Sequence, residues 1–160
     1  MDRTPRTASR SDELGRLYQE EGSRLWRAVF AYGGDAEVAS DAVAEAFAQC
    51  IRRGDEVRDP RAWVWRSAFR IAAGELKERG RHQELVTEDR PHEIPEEVGD
   101  LMALIAGLPR QQRAALVLRH YAGYDTREVA QIIGTSQATV RVHLSRGRRR
   151  LRELLEDTDD

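Results

Sequence analysis

The stretch that most constrains this chain runs from Tyr124 to Leu151, YDTREVAQIIGTSQATVRVHLSRGRRRL. Asp125 is placed to cap a first helix. Glu128, three positions on, would complete a capping box, with Val129, Ala130, Ile132 and Ile133 on the apolar side. Gly134 stops that helix and Thr135 and Ser136 turn the corner. Ser136 caps a second helix in which Val140, Leu144, Gly147 and Leu151 recur at helical steps. One face of this second helix is therefore buried. The other carries Gln137, Arg141, Ser145, Arg148 and Arg149, hydrogen-bond donors suited to phosphates and purine edges in a major groove. Six arginines and no acid lie between Arg141 and Arg152. A DNA-reading helix-turn-helix accounts for this better than a solvated hairpin whose arginines complement the helix dipole.

The formal net charge of -2 would not by itself suggest a nucleic-acid partner. Its distribution does: residues 110 to 152 hold ten arginines against Asp125 and Glu128, so the rest of the chain is strongly acidic. A basic arm on an acidic body fits a DNA reader with a second, protein-binding role. Composition rich in Ala, Leu, Arg and Glu, with 3.6-residue periodicity, predicts an all-α protein. Cys50 is the only cysteine and falls on an apolar stripe, which makes it core rather than catalyst. The four histidines lack ligand spacing, and no cofactor or metal is implied. No apolar run approaches a membrane span, and the first ten residues do not resemble a signal peptide, so a cytoplasmic protein is expected.

In chain order, Ser11 with Asp12 and Glu13 should open a first helix with Leu14, Leu17, Tyr18, Leu25, Val29 and Phe30 on its apolar side, closed by Gly33-Gly34. Asp35 caps a second helix striped by Ala39, Val43, Ala46, Phe47, Cys50 and Ile51 and ended by Gly54. Asp41 and Glu45 share its outer side. With no histidine or third acid beside them, they suit a partner surface better than acid/base catalysis. Asp59-Pro60 starts a third helix, to about Arg79, whose core stripe is Trp65, Ala68, Phe69, Ala72 and Leu76. Trp63, Arg66, Arg70 and Lys77 lie off that stripe. An aromatic among cations can stack single-stranded bases, or Trp63 can be a core residue at a helix start; spacing leaves both open. Residues 81 to 100 are acidic and contain Pro91 and Pro95, which reads as a flexible linker between domains at 11 to 80 and 101 to 155. Leu101, Leu104, Ile105 and Leu108 resume the fold, Pro109 begins another helix through Tyr121, and Glu153 to Asp160 reads as a frayed tail.

These residues together resemble the extracytoplasmic-function (ECF) group of bacterial sigma-70 family factors. LPRQQRAALVLRHYAGYDTREVAQIIGTSQATVRVHLSRGRRRL is similar to sigma region 4, SDAVAEAF to the polymerase-binding helix of region 2, and DPRAWVWRSAFRIAAGELKER to the helix that opens promoters. The resemblance implies a three-helix region 2-like domain and a helix-turn-helix region 4-like domain. It implies core RNA polymerase and promoter DNA as partners, with Asp41, Glu45 and Phe47 docking on polymerase. Trp63, Arg66 and Arg70 would hold the melted minus-10 element. At the minus-35 element Gln137, Arg141 and Ser145 would face bases, and Arg146, Arg148 and Arg149 mainly phosphates. Family members are often held by an anti-sigma factor. The chain departs from the family pattern at Ser40, Ala44, Arg70, Gly74, Val142 and His143.

Two other functions compete with this reading. A helix-turn-helix regulator acting without polymerase would commonly be a symmetric dimer; no dimerisation helix is evident, which suggests a monomer when free. A metal-dependent hydrolase built on Asp41 and Glu45 lacks a nucleophile, a base and a third ligand.

Overall fold

The computed structural model describes residues 5–83 and 100–159. Seven α-helices follow in order among the described residues: α1 Pro5–Gly33, α2 Ala36–Arg53, α3 Pro60–Gln83, α4 Asp100–Ala106, α5 Arg110–Leu116, α6 Thr126–Ile133 and α7 Gln137–Asp159. A 3-10 turn, Gly54–Glu56, follows α2, and a π turn, Val117–Tyr121, follows α5. The expected all-α architecture is what is found.

Helices α1, α2 and α3 pack around Leu25, Val29, Phe30, Val38, Ala39, Ala42, Ala46, Cys50, Val64, Phe69 and Ala72, all buried. Burying a Leu or Phe of this kind contributes about 1.5–3 kcal/mol. The boundaries follow local chemistry. Gly34, at φ 71°, donates its N–H to Phe30 O and lets the chain turn where a side chain would be strained. Asp35 Oδ1 then accepts from Val38 N at 3.0 Å to start α2, and Asp59 Oδ1 accepts from Ala62 N at 3.2 Å to start α3. Arg10 donates to Gly54 O at 3.0 Å and to Val57 O, tying the start of α1 to the turn between α2 and α3.

Several expected details differ. Helix α1 begins at Pro5, so Ser11 lies inside it rather than at its cap. Tyr18 (57 % exposed) and Ile51 (60 %) flank their stripes instead of joining the core, as does Leu101. Helix α3 continues through Gln83; residues 84–99 of the expected linker lie outside the described residues. Residues Glu153 to Asp159 are helical, not a frayed tail, because Leu151 and Leu154 continue the inner face of α7 against the core.

Helices α4 to α7 form the second bundle, in which α5 and α6 both pack on α7. Its core joins Ile105, Leu108, Ala115, Leu116, Leu118, Val129, Val140 and Leu144. The π turn carries the chain from α5 toward α6: Ala122 N–H donates to Val117 O, and Tyr124 N–H to Leu118 O, both at 2.9 Å.

The two bundles touch. Helix α1 contacts α4, α5 and the π turn, and α3 contacts α6. Arg113 of α5 donates to Tyr32 O at 3.4 Å across this seam and to Ala106 O at 3.0 Å within its own bundle. Burial, and secondly the Arg110 charge, lowers its pKa.

Candidate nucleic-acid interface

The helix-turn-helix forms from its predicted caps. Asp125 Oδ1 accepts from Glu128 N at 2.8 Å, opening α6. Gly134 ends it in the left-handed region, at φ 81° and ψ 42°, and donates to Ala130 O. Ser136 Oγ then accepts from Thr139 N at 3.2 Å, opening α7. The capping box is not completed as expected: Glu128 turns its Oε2 to Arg66 of α3, at 2.9 Å.

Rotation of α7 is fixed by its buried face. Val140 and Leu144 enter the core, and a Cβ on Gly147 would lie 2.9 Å from Leu116 Cδ1, so glycine here lets α5 approach without displacing the Leu116 side chain. That rotation leaves Gln137, Arg141, Ser145, Arg146, Arg148 and Arg149 exposed. Arg148 Nη1 lies 3.4 Å from His120 Nε2. The His120 pKa is lowered by burial, then by Arg148 and Arg119, which favours a neutral imidazole accepting this hydrogen bond. Arg150 instead pairs with Glu153 at 3.2 Å.

Trp63, Arg66 and Arg70 come together along one groove of about 340 Å3 on α3, which Arg58 and Ser67 also line. Trp63 is half-buried: one side packs on the core while the Arg53 guanidinium sits 5.7 Å from its ring centroid. Arg53 and Arg58 were not singled out from sequence. Arg53 ends α2 and Arg58 follows the turn after it, whose course no periodicity reveals.

On α2, Asp41 is exposed and Glu45 half-exposed. Glu45 Oε1 accepts from Gln49 at 3.1 Å and pairs with Arg52 at 2.8 Å, and these bonds lower its pKa. Phe47, expected on the docking surface, is 6 % exposed and meets the edge of the Tyr18 ring; it supports the helix from inside. Beside Ala44 an apolar groove of about 770 Å3 runs between α1 and α2, where Trp26 Nε1 donates to Ser40 Oγ at 2.9 Å.

At the seam Arg24 sits over two rings, 5.6 Å from Trp65 and 5.2 Å from Tyr121, and Tyr124 meets Phe69 edge-on at 6.0 Å. Sequence reasoning singled out neither Arg24 nor this pairing. Among the described residues no group of His, Cys, Asp and Glu is gathered as for a metal ion, and no helix is long and apolar enough to cross a membrane.

Comparison with known proteins bears on this arrangement. Residues 99–151 match the model of sigma-70 region 4. The ECF RNA polymerase sigma factor SigL of Mycobacterium tuberculosis is 28 % identical, over 88 % of this chain and 88 % of that protein. SigE of Mycolicibacterium smegmatis, also an ECF RNA polymerase sigma factor, is 28 % identical over 87 % of this chain and 60 % of its own length. The fold resembles the sigma factor RpoE in its complex with the anti-sigma factor NepR from Bartonella quintana, with a TM-score of 0.59, 21 % identity and coverage of 88 % and 97 %. It also resembles CnrH in complex with the cytosolic domain of CnrY, with a TM-score of 0.54, 23 % identity and coverage of 96 % and 94 %. With the region 4 match on the helix-turn-helix and ECF relatives aligned through both bundles, the chain is similar to the ECF group of the sigma-70 family along most of its length.

Proposed function

We propose that this chain is an RNA polymerase sigma subunit that acts in the cytoplasm, joins core polymerase and directs it to promoters whose strands it helps to separate. The observation that carries this reading is the pairing of two DNA-facing surfaces on separate bundles: the basic face of α7, fixed by Ser136 and Gly147, and the aromatic and cationic groove of α3. Gln137, Arg141 and Ser145 read minus-35 bases while Arg146, Arg148 and Arg149 neutralise phosphates. Trp63 stacks a base of the separated minus-10 strand, with Arg66 and Arg70 on its backbone. Asp41 and Glu45 meet cations on polymerase.

The subunit makes and breaks no bond; its contribution is binding energy placed at two DNA elements and one protein surface. The RpoE relative was solved with an anti-sigma factor, and an inhibitory protein of that kind is a further partner proposed here.

Incubating the purified chain with core polymerase and genomic fragments, and sequencing the transcripts, tests the proposal. Co-elution with core and initiation at a discrete set of sites are expected. Specific DNA binding with no affinity for core would instead establish a free-standing helix-turn-helix regulator.

A further inference from the structure

The outward side of α7 is basic, but its centre is apolar. At about 100° per residue, the buried Val140, Leu144 and Gly147 and the partly buried Leu151 share one mean direction, and Val142 stands within about 10° of directly opposite it. Val142 is 44 % exposed. Ala138, one turn earlier, is exposed on the same side, Ser145 follows at the next turn, and Arg141 and Arg149 stand around them.

A single exposed apolar side chain is ordinary on a protein surface, so the position of this one carries the argument. Tyr18, Ile51 and Leu101 are on other helices, and Leu155, later on α7, falls back toward the buried side. Val142 projects instead from a face on which six arginines and no acid lie between Arg141 and Arg152. Phosphates on the two rims of a major groove match that charge, and a helix lying in the groove turns its first residues to the base edges. Gln137 opens α7, which puts Val142 in its second turn.

In that position valine has no polar group to offer a base. Most of what the major groove presents is hydrogen-bond donors and acceptors, and these would lose water against Val142 without gaining a partner. The 5-methyl group of thymine is the apolar exception. Side chains one turn apart have Cβ atoms about 5–6 Å from each other, which leaves room for one methyl group in contact with both Ala138 and Val142.

We propose that Val142, backed by Ala138, is a specificity-determining residue of α7 that reads the 5-methyl group of a thymine in the minus-35 element. The assignment rests on the sigma-factor reading for the identity of that element, whereas the contact belongs to the helix-turn-helix and can be measured on the chain alone.

The probe is a duplex library of randomised sequence, selected by the full chain and separately by the chain assembled with core polymerase. The selected duplex is then remade with deoxyuridine in place of each thymine of either strand in turn, which removes the 5-methyl group and leaves base pairing intact. At one position this change should weaken binding about fourfold, the worth of one buried methyl group. In Val142→Ala the same change should cost less than about twofold, with preference at the other positions retained. On the deoxyuridine duplex the two proteins should bind alike, a result that general damage to the helix would not give. Thermal unfolding checks that the variant is folded, as expected for a change at an exposed site.

A selected element without thymine, deoxyuridine tolerated at every position, or a cost that Val142→Ala leaves unchanged overturns the assignment. A chain that discriminates the methyl group but never joins core overturns the sigma-factor reading and leaves this contact standing. One that initiates transcription with core and shows no such discrimination overturns the contact alone. Failure to select any sequence in either form overturns both.

Discussion

Gly147 shows how much of the proposed minus-35 surface depends on a side chain that is absent. Its hydrogen faces Leu116, and a Cβ would meet that residue at 2.9 and 3.2 Å, so a larger residue must displace the Leu116 side chain or move α7 off α5. Gly147→Val should destabilise the second bundle by about 2 kcal/mol through overpacking, and Leu116→Ala in the same chain should return part of that loss in thermal unfolding. Trp63 poses a subtler question, because one side of its ring supports the core while the groove of Arg66 and Arg70 opens on the other. If it stacks a promoter base, Trp63→Ala should weaken open-complex formation by about 1–3 kcal/mol and recover on a template with a pre-melted bubble. A defect that the bubble does not relieve would assign the residue to the core.

The proposed function gives helix α7 two kinds of DNA contact separable by position. Arg141 projects near its N-terminal end and Arg149 two turns later, where a groove-bound helix climbs away from the bases. Arg141→Ala should relax preference at one minus-35 base pair at a cost of roughly 1–3 kcal/mol. Arg149→Ala should leave the preferred sequence alone and lower the salt slope by about one unit. Binding across a library of minus-35 variants at several salt concentrations decides between them; a uniform loss with Arg141→Ala would mean the helix sits in another rotation. Helix α2 offers a parallel test. Asp41→Lys with Glu45→Lys should weaken assembly with core while leaving unfolding within about 0.5 kcal/mol, because neither side chain is buried. Unchanged affinity for core in the folded double variant would move the docking surface elsewhere.

What sequence revealed of these elements was what local chemistry decides. Asp35, Asp59, Asp125 and Ser136 cap the helices they were expected to cap, because each bond spans three residues. Tyr18, Ile51 and Leu101 were misplaced because periodicity gives a stripe but not its edges, whereas Phe47 lies on the stripe that periodicity gave it; Glu128 was misplaced because its partner lies 62 positions away in sequence.

At the scale of the whole molecule, the seam between the bundles combines the packing of α1 on α4, α5 and the π turn with an ion pair, a guanidinium over two rings, Arg113 on Tyr32 O and the Trp65–Tyr121 and Phe69–Tyr124 ring contacts, among the described residues. Such a contact forms readily between tethered partners, because a short chain segment supplies an effective concentration in the millimolar range. Without the tether it must form from two solutes at micromolar concentration, a disadvantage of roughly a thousandfold, or about 4 kcal/mol. Each bundle nevertheless buries its own set of side chains within the connected core, one around Phe30 and Phe69 and the other around Leu118, Val129 and Val140. We therefore expect limited proteolysis to cut first between residues 84 and 99, where acidic residues and two prolines replace apolar periodicity. The two fragments should keep their helical circular dichroism and then part on a sizing column at micromolar concentration. Cleavage within α3 or α7 ahead of that segment would contradict the two-domain division. Fragments that stay together at micromolar concentration would show a seam stronger than a tethered contact requires.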